Sequence, residues 1–203
     1  MRKTGPSKAD TSLLEPFAGL TLANIIVPRT EAEFAAAAQD IRAARQVGFD
    51  TESKPTFRVG EVSTGPHVVQ FALPGRAYIF QLHHAACVPV VAALLQDRAV
   101  LKIGFGLSSD HSQIRAKLGI SPCAVLDLNN VYRKLGYNSS MGARAAVGLT
   151  LGRNFRKSKA VTTTNWAQPA LTDSQLLYAA NDAYAALRVF EALDLPAQDL
   201  PED

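Results

Sequence analysis

The chain has 203 residues, 47% hydrophobic and 19% charged, with a formal net charge of +3. That length carries one domain with a substantial core, and the composition excludes a disordered or fibrous chain. The longest apolar run, Val88 to Leu95, falls far short of the roughly 18 residues that cross a bilayer, so no membrane partner is expected.

Met1 to Ser12 is polar and contains Gly5 and Pro6, so residues 1–15 read as a disordered or extended tail. It has no apolar signal core, and Cys87 and Cys123 are too few for a disulfide framework; a reducing cytoplasm is the expectation. Thr30 followed by Glu33 is a capping pattern that opens a helix over Glu31 to Ala44. Gln46 to Thr51 is β-prone, and Val59 to Val62, Val68 to Leu73 and Arg76 to Gln81 read as strands, the last two joined by a Pro74-Gly75 turn. Val88 to Gln96 reads as an apolar helix and Ala99 to Ile103 as a short strand. Leu107 to Leu118 is a helix closed by Gly119, Val125-Leu126 a minimal strand, and Asp127 to Leu135 a helix closed by Gly136. Ala143 to Leu151 is a helix ending at Gly152, residues 153–168 a basic loop, and Asp173 to Leu193 the longest helix, N-capped by Thr172. A strand meander followed by alternating helices and strands implies an α/β or α+β domain, a mixed sheet flanked by helices.

Charge is unevenly placed. No Asp or Glu lies between Asp127 and Asp173, yet Arg133, Lys134, Arg144, Arg153, Arg156, Lys157 and Lys159 all do. Such a stretch suits an anionic partner, phosphate being the commonest; the bland alternative is a solvated basic face.

Acids mark three places. Asp50 and Glu52 are two apart on a strand and project to one face. Two carboxylates about 4 Å apart repel by roughly 4 kcal/mol at an effective dielectric of about 20 unless a proton or a cation neutralises them. Asp110 follows a short strand and two glycines, in the first turns of a helix. Tyr178 and Asp182 share a helix face, with small alanines between them. Singly, these residues read as a solvated turn, a dipole-complementing Asp and an ordinary amphipathic helix. Together they form a set of hard oxygen ligands suited to Mg²⁺ or Mn²⁺, without the His or Cys that zinc recruits.

The segments GFDTESKP (Gly48 to Pro55), LKIGFGLSSD (Leu101 to Asp110) and NWAQPALTDSQLLYAANDAYAALRVF (Asn165 to Phe190) carry a resemblance. The chain resembles the tyrosine subgroup of the DEDD-type 3′–5′ exonucleases, the RNase D and Werner-exonuclease branch, over residues 16–195. The resemblance implies an RNase H-like α/β fold, a mixed sheet with helices on both faces, and a free-standing catalytic domain with residues 196–203 as a tail. It implies two divalent cations, Mg²⁺ or Mn²⁺, with Asp50, Glu52 and Asp182 on the first and Asp50 and Asp110 on the second. Tyr178 would orient the attacking water, and Glu52 with the backbone at Thr51 would recognise the terminal 3′-hydroxyl. Arg153, Arg156, Lys157 and Lys159 would meet substrate phosphates. The implied products are nucleoside 5′-monophosphates, cut from single-stranded or frayed 3′ ends of DNA or RNA.

Two alternatives stand beside this reading: an RNA 3′-end trimming enzyme like RNase D, and a non-catalytic nucleic-acid-binding module on the same fold. Trp166 is expected to pack under the basic loop rather than stack a base. His111 is expected to be exposed at its helix start, Tyr184 and Phe190 to face the core, and Phe105 or Leu107 is a candidate wedge against the terminal base. His67, His83 and His84 show no metal-ligand pattern. Sugar preference and oligomeric state are not encoded in any motif.

Overall fold

The computed structural model describes residues 3–58, 60–137, 141–196 and 201. Six strands form one sheet: β1 (Ile25–Ile26), β2 (Gln46–Glu52), β3 (Val68–Leu73), β4 (Arg76–Gln81), β5 (Leu101–Gly104) and β6 (Val125–Asp127). Their spatial order is β1-β4-β3-β2-β5-β6. The β2–β3 and β3–β4 pairs are antiparallel, and the β1–β4, β2–β5 and β5–β6 pairs are parallel. The helices are α1 (Lys8–Ser12), α2 (Glu31–Ala44), α3 (Cys87–Gln96), α4 (Ser108–Leu118), α5 (Leu128–Lys134), α6 (Ala143–Leu151), α7 (Lys159–Thr162) and α8 (Asp173–Leu193).

Strand parity assigns the two faces. Val47, Phe49, Val69, Phe71 and Phe80 point to one side, where they pack with Phe34, Ile41, Val91 and Leu94 of α2 and α3. Val68, Ala72, Ala77 and Ile79 point to the other, under Ala179, Ala180 and Ala183 of α8. A third cluster joins α8 to α5, α6 and β5 through Ile103, Val131, Val147, Leu187 and Phe190. Strand β3 is buried along its whole length, as a strand covered on both faces must be.

α8 lies unusually close to β2 because the strand carries a glycine beneath it. A β-carbon on Gly48 would stand 1.9 Å from the Ala183 carbonyl oxygen. The helix begins where Thr172 and Gln175 form a capping box, as Thr30 and Glu33 do for α2. At Gly119 and Gly152 the chain leaves α4 and α6 in the left-handed region.

Four departures from the expected elements bear on the fold. Within the expected N-terminal tail, α1 forms behind a Ser7–Asp10 capping box, and its Thr11 is buried against Gly148 of α6. Of the expected strand from Val59 to Val62, Val59 lies outside the described residues and 60–62 form no ladder. Gly60 there has a φ of 81°, and the Glu61 carboxylate accepts from the backbone N–H groups of Phe57 and Arg58, so the segment turns. Strand β1 was unforeseen, being two residues long. The basic loop contains a single helical turn, α7. Among the described residues no helix is long and apolar enough to cross a membrane.

Candidate active site

The even positions of β2 bring Asp50 and Glu52 to the face under α8, and the close seat of α8 over Gly48 brings Asp182 down to them. One carboxylate oxygen from each of Asp50, Glu52 and Asp182 lies within 4.8 Å of the others. Asp110 stands one step outside that group. It is buried in the first turn of α4, where its Oδ1 accepts from the Thr51 hydroxyl at 2.5 Å. Thr51 is thus a side-chain link between the strand acids and Asp110, whereas the sequence suggested only its backbone.

Asp127 sets the position of α4. Its carboxylate accepts from the backbone N–H groups of Gly106 (2.9 Å), Leu107 (3.0 Å) and Asn129 (2.9 Å), clamping the turn that leads to Asp110. Leu107 is buried in the core, which rules it out as a wedge; Phe105 is half-buried against the α5–α6 cluster. His111 is half-buried rather than exposed, with its Nε2 unpaired.

Tyr178 lies one turn before Asp182. Its hydroxyl accepts from Thr162 Oγ1 at 3.0 Å, and its ring stands 6.0 Å from that of Trp166, which is buried under the loop. Tyr184 and Phe190 are buried as expected. The basic loop divides. Lys157 Nζ sits 2.7 Å from Asp182 Oδ2 and 5.7 Å from the Tyr178 ring centre, in direct contact with the acids. Arg156 and Lys157 line a cleft of about 480 Å³ with Phe17, Leu20, Asn181 and Asp182. Arg153 and Lys159 are exposed and do not line it.

Residues 25–196 match the model of a 3′–5′ exonuclease domain family. The chain belongs to that family. A mouse bifunctional 3′–5′ exonuclease/ATP-dependent helicase is 28% identical over 149 residues, 72% of this chain but only 11% of that protein. The Nibbler exonuclease domain of Aedes aegypti superimposes with a TM-score of 0.72 at 25% identity, over 86% of this chain and 89% of that one. RNase D of Trypanosoma brucei, in complex with RNA U12, superimposes with a TM-score of 0.74 at 23% identity, over 88% and 65% of the two chains. The fold is therefore the RNase H-like mixed sheet of these exonuclease domains.

The electrostatics of this exonuclease domain follow from burial. Asp50 is held well above the usual carboxylate range, first by burial and then by the charges of Asp110 and Asp182. Burial, with Asp50 and Asp182 adding to it, pushes Glu52 up to about 10. Asp110 and Asp182 are also raised by burial, the latter against the opposing pull of Lys157. Burial works against charge on Lys157, but Asp182 and Asp50 outweigh it and keep the ammonium protonated. Burial and the Asp182 charge raise Tyr178 to about 12.

Asp50, Glu52 and Asp182 thus share the charge of the Lys157 ammonium, and Asp182 Oδ1 is buried without a hydrogen-bond partner. An all-oxygen donor set with an unused buried lone pair fits a hard divalent cation. Among the described residues, Asp50, Glu52 and Asp182 are those whose oxygens converge closely enough to hold it.

Other residues that shape the site went unread in the sequence. Asn181 takes a hydrogen bond from the Leu20 N–H at 2.6 Å and returns one to its carbonyl, pinning the wall of the cleft. Gln81 donates to the carbonyls of Gln168 and Pro169, fixing the approach to α8. Gln70, the polar residue of the otherwise apolar segment VVQFAL, is fully buried with both amide atoms unpaired. Each such unpaired group costs on the order of 1–3 kcal/mol. Its place in an apolar strand is a signal that sequence reading could have used.

Proposed function

We propose that this exonuclease domain removes nucleotides one at a time from the 3′ end of a nucleic acid strand and releases nucleoside 5′-monophosphates. Single-stranded or frayed DNA ends are the leading substrate and RNA ends the second. Asp50, Glu52 and Asp182 would hold one divalent cation, Mg²⁺ or Mn²⁺, and Asp50 with Asp110 a second. Bound there, such a pair of ions supplies an activated water and charge stabilisation for the leaving oxygen.

The remaining work falls to the chain's own side chains. Tyr178, its hydroxyl pushed up to about 12, stays protonated at neutral pH and is suited to orienting water rather than to abstracting its proton. Thr51 holds Asp110 through its hydroxyl. Glu52, beside the Thr51 backbone, would receive the terminal 3′-hydroxyl. Lys157 would pass from Asp182 to a substrate phosphate, with Arg156 beside it in the cleft; Arg153 and Lys159 would act further out along the strand. RNase D bound to RNA on the same fold keeps RNA trimming as the alternative to test.

The observation that carries this reading is the convergence of the Asp50, Glu52 and Asp182 oxygens to within 4.8 Å of one another. Its test uses 5′-labelled DNA and RNA oligomers, single- and double-stranded, with Mg²⁺, Mn²⁺ or chelator. A ladder shortening from the 3′ end in metal alone is expected, and relative rates rank the substrates. Intact oligomers under every metal condition would overturn the reading.

A further inference from the structure

Gln70 occupies the middle of β3, and its cross-strand partner on β2 is Asp50. Directly opposed residues of an antiparallel pair project to one face with Cβ atoms about 4.5–5.5 Å apart. The carboxamide and the Asp50 carboxylate therefore share the layer beneath α8. Its neighbours on that face of β3, Val68 and Ala72, are apolar and pack with Ala179, Ala180 and Ala183. Those short side chains leave the amide room but offer it no bond. Neither Nε2 nor Oε1 has a partner, although the residue is fully buried. Asp182 Oδ1, also buried and unpaired, belongs to the same layer from the helix side.

A Leu or Met would fill this volume without burying an unpaired amide, so packing gives no reason for Gln. Of the acids in that layer, Asp50 is the one that the strand register sets directly opposite the amide. We propose that Gln70 is a positioning residue for the carboxylate cluster. Its Nε2–H is the donor available to the Asp50 carboxylate, and a bond between them would fix the direction in which that group meets Glu52 and Asp182. Outer partners of this kind typically account for about 10–100-fold in metal affinity or activity. The inference rests on the metal-dependent exonuclease reading above.

The test compares Gln70→Met and Gln70→Leu with wild type in the full chain. Three readouts are needed: Mn²⁺ affinity by calorimetry without nucleic acid, thermal unfolding in chelator, and steady-state kinetics on a 5′-labelled oligomer. Both variants are expected to unfold at or above the wild-type temperature. Their Mn²⁺ Kd should rise by about tenfold, and kcat should fall by about tenfold or more with KM changed less than about threefold. Kd and kcat within about twofold of wild type would overturn the proposal. So would unfolding more than about 5 °C below wild type in both variants, which would make the amide a packing element. A wild-type protein that binds no Mn²⁺ and shortens no oligomer would instead bring down the exonuclease reading on which this rests.

Discussion

Lys157 donates to Asp182 across 2.7 Å, so a side chain from the basic loop supplies positive charge inside the carboxylate cluster. The contact joins two functions that sequence keeps apart: neutralising acids and meeting phosphate. It also makes the loop's position depend on what else occupies the cluster.

Replacing Lys157 with Met should therefore destabilise the metal-free protein. The ammonium is more than a third exposed, so a full buried-pair penalty does not apply, and a loss of about 1 kcal/mol is expected. Urea unfolding in chelator measures it. Saturating Mn²⁺ should shrink the difference; a deficit that stays the same with metal would mean the pair serves the fold alone.

The raised carboxylates make a pH prediction with a definite sign. An acid whose folded pKa lies above its unfolded value stabilises the fold below the unfolded pKa, and that contribution is lost as pH rises toward the folded one. With Glu52 at about 10 and Asp50 also raised, stability in chelator should fall between about pH 5 and pH 9. Divalent metal should flatten the slope. Asp50→Asn should flatten it without metal and raise the melting temperature at pH 8, while cutting hydrolysis by about 10³-fold or more. A steep slope retained in Asp50→Asn would show that the cluster does not titrate as described.

Tyr178→Phe removes one hydroxyl and keeps the ring against Trp166. Turnover should drop by about 10–100-fold with KM little changed, since the hydroxyl acts on the reacting water rather than on the strand. Steady-state kinetics at several pH values decide it, and an unchanged kcat would assign the tyrosine to packing.

Arg156 lines the cleft and, among the described residues, forms no ion pair with the clustered acids. Arg156→Ala should weaken binding of all oligomers alike and reduce the slope of log K against log salt by about one. Fluorescence anisotropy at graded salt, in chelator to prevent cutting, reads both. A sequence-dependent loss with an unchanged slope would argue against a phosphate contact.

Much of this was written in local patterns. Thr30 with Glu33 marked the start of α2, and the parity of Asp50 and Glu52 placed both acids on one face. Tyr178 and Asp182 declared a shared helix face by their spacing. What stayed hidden depended on distant partners. β1 exists because two residues find β4, and α1 forms because Thr11 finds room beside Gly148. Val59 and Val62 are β-formers in the sequence, but Gly60 and Glu61 between them turn the chain and 60–62 pair with no strand. The offset of Asp110, reached through Thr51, and the seat of Lys157 on Asp182 are tertiary facts that no spacing could state.

At Gly48, the ligand-bearing strand and helix touch through bare backbone, with the Ala183 carbonyl filling the space a methyl would need. One added carbon there would wedge the two apart and slide Asp182 away from its companions, leaving every acid in the sequence and none of the grip. The reach of the cluster is thus set by an atom the chain lacks, so a survey that counts carboxylates alone would score such a mutant as intact.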